Sequence, residues 1–290
     1  MSANGGPAGP PSRFLRGIGT HAAILEDGFS HGAYVLSIGG AEQSHVDLAR
    51  PEEIFYEYLR RMGNVLDLAA PAGSPLRALH LGAGALTLTR YLQATRPGSE
   101  QAAVELEREL LDFVLAHLPL PEGTRLESVI GDARDSLDVF AGREFDAIVL
   151  DIFAGADAPQ HLATEEYYAE LVRLLSPAGV LLVNVGDDPP LAFARRQIRA
   201  LQAGLAAGLS GRRETAGPQE ATQTRRPASA GGVAALGPTD MFTGRYPGNI
   251  VLAATAFPWP AEWTAQLLAA GPHPAAVLTG EDLDVFASGS

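Results

Sequence analysis

Two glycines and an acidic residue follow successive apolar segments of the chain, where they could bind one small molecule. Gly82 and Gly84 come directly after the segment RALHL, and a helical pattern follows them. Glycine lets a backbone approach a ligand closely, and free N–H groups at a helix N-terminus carry a partial positive charge. Glu105 ends the next apolar segment. A carboxylate at that position can accept hydrogen bonds from both hydroxyls of a ribose.

The glycine segment lacks the third glycine of a dinucleotide site. In G-x-G-x-x-G that glycine lets the helix pack beneath a pyrophosphate, but Thr87 stands there. We therefore expect a nucleoside ligand without a pyrophosphate. Asp132 and Ala133, after a third apolar segment, suit an adenine edge, because a carboxylate accepts the amino group and a methyl side chain leaves room for the ring. Asp132 could also cap the following helix, and both roles are compatible.

Asp151 is a third carboxylate in this series and ends the apolar segment FDAIVL. Ligands in open α/β sheets bind beside the carboxyl ends of the strands. A carboxylate is also costly to bury without a partner. Both considerations favour a functional role for Asp151 over a structural one.

A parallel sheet is needed to bring these residues together. Strand and helix patterns alternate from Arg77 onward, and parallel strands require crossover connections, which predicts a doubly wound α/β sheet. Residues 1–12 are expected to be a disordered tail and residues 13–60 an N-terminal β module with a connecting helix. Residues 61–290 would form a Rossmann-like nucleoside-binding catalytic domain, with 210–230 as a mobile loop and, after Trp259, one helix and a loosely ordered end.

Composition and charge exclude several classes of protein. The 290 residues carry a formal net charge of -13, which disfavours nucleic acids and anionic membranes as partners. The chain has no cysteine, so disulfides, zinc thiolates and thiol nucleophiles are excluded. The seven histidines lack ligand spacing, so no metal is expected, and His80 inside a strand pattern is expected to be a core residue. No apolar run long enough for a membrane helix and no signal peptide are apparent, which predicts a cytoplasmic protein.

An ordered set of motifs resembles the polyamine aminopropyltransferases, that is, the spermidine synthase family with its actinobacterial-type relatives. The resemblance extends from Gln43 to Asn184, and RYPGNIVLAA fits later in the chain. The matching stretches are QSHVDLARPEEIFYEYLRRM, LHLGAGALTLTRYL, VELERELLDFV, GDARDSL, FDAIVLDIFAG and HLATEEYYAELVRLLSPAGVLLVNV. The resemblance implies a Rossmann-like class I S-adenosylmethionine-dependent methyltransferase fold behind a small N-terminal β module.

The same resemblance implies a role for individual residues. Gln43 would contact the nucleoside, Glu105 the ribose, and Asp132 with Ala133 the adenine, while Asp151 would orient and help deprotonate an attacking amine. The implied donor is decarboxylated S-adenosylmethionine or S-adenosylmethionine, giving methylthioadenosine or S-adenosylhomocysteine, without a metal. The implied acceptor is a small-molecule amine, and we expect a homo-oligomer, a dimer.

The nucleoside half of the family pattern is kept, whereas the acceptor half is eroded. Ala85 replaces an acidic residue of the glycine loop, and Ala154 replaces a second carboxylate after the fourth strand. A glutamine that follows a tyrosine on the early helix is replaced by Tyr56 beside Glu57. Since an acidic residue at position 85 would repel the carboxylate of the ordinary donor, Ala85 predicts poor discrimination between the two donors.

Three functions therefore remain open on the sequence. The chain could transfer an aminopropyl group to an amine, with Asp157, Glu57 or Glu165 replacing the missing acidic residues. It could instead transfer a methyl or aminocarboxypropyl group from ordinary S-adenosylmethionine. It could also bind a nucleoside without catalysis.

Overall fold

The computed structural model describes residues 9–154, 159–215 and 231–289. The N-terminal part is an antiparallel sheet in the order β1-β2-β3-β4, formed by Ser12–Leu15, Thr20–Glu26, Ala33–Ile38 and Ala41–Asp47. This sheet confirms the predicted β module. Ser12 pairs with Ala23 in it, so the chain is already in a strand at the end of the predicted tail, and residues 1–8 lie outside the described residues.

The main sheet has eight strands in the order β12-β10-β11-β9-β8-β5-β6-β7. In chain order its strands are β5 Arg77–Leu81, β6 Glu100–Glu105, β7 Arg125–Ile130, β8 Phe145–Ala154, β9 Leu175–Asp187, β10 Gly232–Pro238, β11 Gly248–Thr255 and β12 Ala275–Thr279. Strands β5 to β9 pair in parallel, whereas β10, β11 and β12 join the β9 edge antiparallel. The predicted mostly parallel, doubly wound sheet is confirmed.

Helices cover both faces of this sheet. They are α1 Glu57–Ala69, α2 Thr87–Thr95, α3 Arg108–His117, α4 Glu165–Arg173, α5 Ala192–Thr215, α6 Thr239–Phe242, α7 Ala261–Ala270 and α8 Gly280–Ser288, with short 3-10 helices at Asp135–Phe140 and Gln160–Leu162. One apolar cluster joins the sheet to α1, α2 and α7, and another joins its opposite face to α4, α5 and α8. None of the helices in the described ranges is long and apolar enough to cross a membrane.

Two boundaries differ from those predicted. Helix α5 continues to Thr215, six residues into the predicted loop 210–230, and Ser210 donates to the carbonyl of Ala206 one turn earlier. Residues 216–230 lie outside the described residues. The predicted division between residues 60 and 61 falls inside α1, the connecting helix, which continues to Ala69 and packs its buried side chains on the main sheet.

Arg96 closes the C-terminal end of α1. Helices leave their last carbonyls without internal partners, and α1 has no basic residue in its last turn. The buried Arg96 guanidinium donates from Nη1 and Nη2 to five backbone carbonyls, those of Leu66, Asp67, Ala70, Pro71 and Ser74, at 2.9–3.0 Å. One side chain therefore satisfies the carbonyls of the α1 terminus and of the turn that follows.

Arg96→Met should lower the free energy of unfolding by at least ~2–3 kcal/mol, because it leaves several buried carbonyls unsatisfied. Urea denaturation followed by circular dichroism measures this. Arg125→Met is a control, since Arg125 is exposed and lies 3.7 Å from the exposed Glu100; it should change stability by less than ~1 kcal/mol. Equal effects of the two substitutions would contradict the capping role.

Candidate active site

A cavity of about 330 Å³ lies at the carboxyl edge of the parallel strands. Its volume falls in the range of small-molecule sites. Strands β5, β6, β7 and β8 deliver residues to it from one side, and β3 and β4 of the N-terminal sheet from the other. The structure brings all of the predicted site residues to its wall, namely Gln43, Gly82, Gly84, Glu105, Asp132, Ala133 and Asp151.

The glycine turn between β5 and α2 is held tightly by its neighbours. Gly82 and Gly84 have φ angles of +92° and +50°, a region that favours glycine. A Cβ at Gly82 would lie 2.6 Å from the carbonyl oxygen of Asp151, and one at Gly84 would lie 2.7 Å from Ser44 Oγ. Glycine is thus required here for close packing between strands as well as for the turn. Leu86 has the same left-handed conformation (φ +59°) at the start of α2.

Ala85 does not face the cavity. Its side chain is 1% exposed and packs in an apolar cluster with Leu15, Leu36 and Leu110, between the N-terminal sheet and α3. Its N–H donates to Ser44 Oγ at 3.1 Å. The expectation that position 85 faces a donor, and thereby sets donor preference, is therefore wrong for this structure, because an acidic residue there would be buried among apolar side chains.

Glu105 binds the glycine turn itself. Its Oε2 accepts from the N–H of Ala83 at 3.1 Å and its Oε1 from the N–H of Glu107 at 2.9 Å. Each carboxylate oxygen has a second lone pair, so acceptor capacity remains on both oxygens beside the cavity. The same carboxylate can hold the turn and bind a ligand.

Asp132 has two sets of partners. Its Oδ1 accepts from the N–H groups of Arg134 at 2.8 Å and Asp135 at 3.2 Å. It therefore caps the start of the 3-10 helix Asp135–Phe140, which is one of the two roles predicted for it. Its Oδ2 lies 2.8 Å from His161 Nε2. Partial burial opposes ionisation, but the hydrogen bonds from His161 and these N–H groups hold the pKa of Asp132 below its usual value. His161 was not predicted, since nothing in its local sequence indicates this distant partner.

Asp151 is held by two neutral donors. Asn184 Nδ2 donates to its Oδ1 at 2.8 Å, and the Tyr58 hydroxyl donates to its Oδ2 at 3.2 Å. Burial raises the pKa of Asp151, and the hydrogen bonds from Asn184 and Tyr58 oppose that shift. The pairing of β8 with β9 shifts register between Leu150 and Phe153, and such irregularities redirect side chains near active sites. A carboxylate with a raised pKa is a stronger base.

Glu57 and Glu165, two of the three acidic residues expected to replace the family's missing carboxylates, do not line the cavity. Glu57 is 59% exposed and pairs with Arg61 at 3.1 Å, and Glu165 is exposed in the first turn of α4. Asp157 lies outside the described residues. Tyr56 donates instead to Glu42 at 3.2 Å, and burial together with Glu42 raises the pKa of Tyr56 to about 12. No group of three or more His, Asp or Glu side chains in the described ranges is placed to hold a metal.

Known proteins share both sequence and fold with this chain. No protein-family model matches it. A polyamine aminopropyltransferase of Chromobacterium violaceum is 29% identical over 163 residues, which are 55% of this chain and 61% of that protein, so the match covers less than two thirds of the relative. A probable spermidine synthase from Corynebacterium glutamicum has a TM-score of 0.75 and 28% identity, and the match covers 93% of this chain and 91% of the other.

A spermidine synthase solved with the transition-state analogue AdoDATO has a TM-score of 0.51 at 15% identity, over 84% of this chain and 71% of that one. This likeness concerns the fold alone. The fold is that of these spermidine synthases: a mostly parallel sheet with helices on both faces and a small antiparallel N-terminal sheet.

Tyr58→Phe should raise the pKa of Asp151 further, because the carboxylate loses a donor that favours its charged form. Carbon-detected NMR of the Asp151 carboxyl group during a pH titration measures this shift without any ligand. Tyr246→Phe removes an exposed hydroxyl and should leave the titration unchanged. An unaltered or lowered midpoint in Tyr58→Phe would show that this hydrogen bond does not act on Asp151.

Proposed function

We propose that this chain, which is spermidine-synthase-like in sequence and fold, transfers an aminopropyl or related alkyl group from an adenosyl-sulfonium donor to an amine acceptor. The observation that carries the proposal is the shared cavity: the glycine turn, Glu105, Asp132 and Asp151 surround one space of about 330 Å³. Nucleoside-binding groups lie along β5, β6 and β7, and a carboxylate with a raised pKa lies on β8.

The residues at the β6 and β7 end suit an adenosine group. Glu105 retains lone pairs for ribose hydroxyls, and Asp132 presents a carboxylate to an exocyclic amino group beside the small side chain of Ala133. Gln43 reaches the same cavity from β4. A donor bound here supplies a sulfonium, which makes the adjoining carbon reactive toward a nucleophile.

Asp151 would orient the acceptor and take its proton. The amine nitrogen forms a bond to the carbon next to the sulfonium, the carbon–sulfur bond breaks, and the electron pair remains on sulfur in the leaving thioether. The proton passes from nitrogen to Asp151, which Asn184 and Tyr58 hold in place. Positioning supplies much of the rate, because the leaving group needs no further activation.

Two alternative functions would use the same cavity. Among the described residues, the glycine turn contributes no acidic side chain to the cavity wall, so ordinary S-adenosylmethionine could also bind and donate a methyl or aminocarboxypropyl group. A homologue that binds a nucleoside without turnover is the other alternative. We further expect a cytoplasmic protein without nucleic-acid or membrane partners that assembles as a dimer.

Glu105→Ala should weaken methylthioadenosine binding by ~1.5–3 kcal/mol, because hydrogen bonds to a charged group are lost. Isothermal titration calorimetry measures the loss. Glu100→Ala, at the opposite end of the same strand, should bind as the wild type does. A wild type that does not bind methylthioadenosine, or a Glu105→Ala variant that binds equally well, would refute the adenosine site.

Asp151→Asn should lower turnover by ~100-fold or more while leaving nucleoside affinity nearly unchanged, because it removes the base and keeps the shape of the side chain. Product formation from both donors with a panel of amines, followed by mass spectrometry, measures turnover. Asp146→Asn, near the start of the same strand and paired with Arg77, is the control. Equal turnover in wild type and Asp151→Asn would remove Asp151 from the mechanism, and wild type inactive with both donors would favour the non-catalytic alternative.

A further inference from the structure

The cavity has an inner arm between the main sheet and helices α1 and α2. We define this inner arm by five lining residues: Leu59, His80, Leu88, Thr89 and Val149. Leu59 and Leu88 come from the two helices, and Val149 comes from β8. The walls are therefore apolar except at His80 and Thr89, which interrupt them with hydrogen-bonding groups.

The inner arm leads from Asp151 to His80. Val149 on β8 pairs with His80 on β5, and Asp151 follows Val149 by two positions on the same face of its strand. Two residues of a strand span about 6–7 Å, the length of a chain of about four or five carbon–carbon bonds. An amine held at Asp151 can therefore place the other end of its chain beside His80.

His80 offers a neutral hydrogen-bond acceptor. Its Nε2 lies 2.9 Å from Gln101 Oε1, and Gln101 Nε2 donates to the carbonyl of Thr89 at 3.1 Å. This arrangement assigns the imidazole hydrogen to Nε2 and leaves a lone pair on Nδ1. The ring is 4% exposed, and burial, opposed by Gln101, lowers the pKa of His80 to about 4. Within the described residues, Nδ1 has no hydrogen-bond partner.

Thr89 adds a free hydroxyl. Its Oγ1 is buried and has no hydrogen-bond partner among the residues that the structure describes. Glu105 ends β6 two positions beyond Ala103, which pairs with His80, so neither Glu105 nor Asp151 lies directly beside the His80 ring. Glu107 and Asp132 follow β6 and β7, farther from the inner arm. Unmet hydrogen-bonding capacity in a buried site favours a ligand that satisfies it. The inner arm therefore suits a neutral ligand group that can both donate and accept a hydrogen bond.

We infer that the acceptor is a primary amine whose chain ends in a hydroxyl, in contrast to a diamine. The hydroxyl would donate to His80 Nδ1 and accept from Thr89 Oγ1, while the amine lies at Asp151. A second ammonium would be buried beside a neutral imidazole without a carboxylate of its own, which is unfavourable. This inference rests on the proposed function and narrows its acceptor class.

The test compares aminobutanol, diaminobutane and pentylamine, which have equal chain length, as acceptors for the wild-type protein with each donor. We expect kcat/KM for aminobutanol to exceed that for each of the other two by at least ~tenfold, since sites that hydrogen-bond a hydroxyl reject ligands lacking it. Equal or higher kcat/KM for diaminobutane overturns the inference while the proposed transfer stands.

Binding separates the failure of the inference from the failure of the proposed function. If none of the amines yields product, the proposed function fails. The inner arm is then tested by calorimetry of the same amines with the methylthioadenosine-saturated protein, where the preference for aminobutanol is read from the affinities. An affinity for aminobutanol at least ~tenfold above the other two supports the site. A smaller difference, or no binding, overturns it.

Thr89→Val tests the site directly. The preference for aminobutanol over pentylamine should fall to ~threefold or less, because the variant keeps the shape of the wall and loses one partner of the hydroxyl. Thr95→Val, on the same helix but outside the cavity, with its hydroxyl bound to the Tyr91 carbonyl, should keep the wild-type preference. Full preference in Thr89→Val would contradict the assignment.

Discussion

The close contact of the glycine turn with its neighbours is the constraint on which the rest of the site depends. Gly82 lies against the backbone of Asp151, Gly84 lies against Ser44, and Glu105 accepts a hydrogen bond from the turn. Strands β4, β5, β6 and β8 thereby meet at one point. A shift of this turn would move Glu105 and Asp151 together, so the two ends of the cavity are positioned as one unit.

The polarity of the cavity is divided in a way that suits two kinds of ligand. At the β6 and β7 end, Glu105 and Asp132 each accept hydrogen bonds from backbone N–H groups. Despite partial burial, these bonds and that from His161 hold the pKa of Asp132 below its usual value. At the β8 end, Asp151 is held by the neutral side chains of Asn184 and Tyr58. Burial raises the pKa of Asp151, and these two hydrogen bonds only oppose that shift. Under the proposed function, carboxylates of one chemical type would serve recognition at one end and proton transfer at the other.

Local pattern was enough to predict the main sheet except for β12, and the predicted site residues except for Gln43, which only the family resemblance implied. Alternating strand and helix patterns locate β5 to β9, and the carboxyl ends of parallel strands must share one edge, so Gly82, Glu105, Asp132 and Asp151 had to converge. Partners contributed by distant segments could not be found in this way. Tyr58 and His161 reach their carboxylates through tertiary packing, and the direction of the Ala85 side chain depends on how the N-terminal sheet docks. Strand β12 pairs with β10 in a region expected to be loosely ordered, because a short apolar segment carries little signal of its own.

The hydrogen bond between Asn184 and Asp151 has an evolutionary consequence. Asparagine and aspartate codons differ by one nucleotide, so a single mutation would place two carboxylates about 2.8 Å apart at the end of the cavity. Like charges at that distance cannot both ionise, and such a pair shares one proton with separated titration steps. The present asparagine gives Asp151 a neutral donor at this position, whereas an aspartate there would share a proton with Asp151 and divide its titration into two steps. The proton affinity of the base at this end of the cavity is thus a property that one nucleotide change could alter without rebuilding the fold.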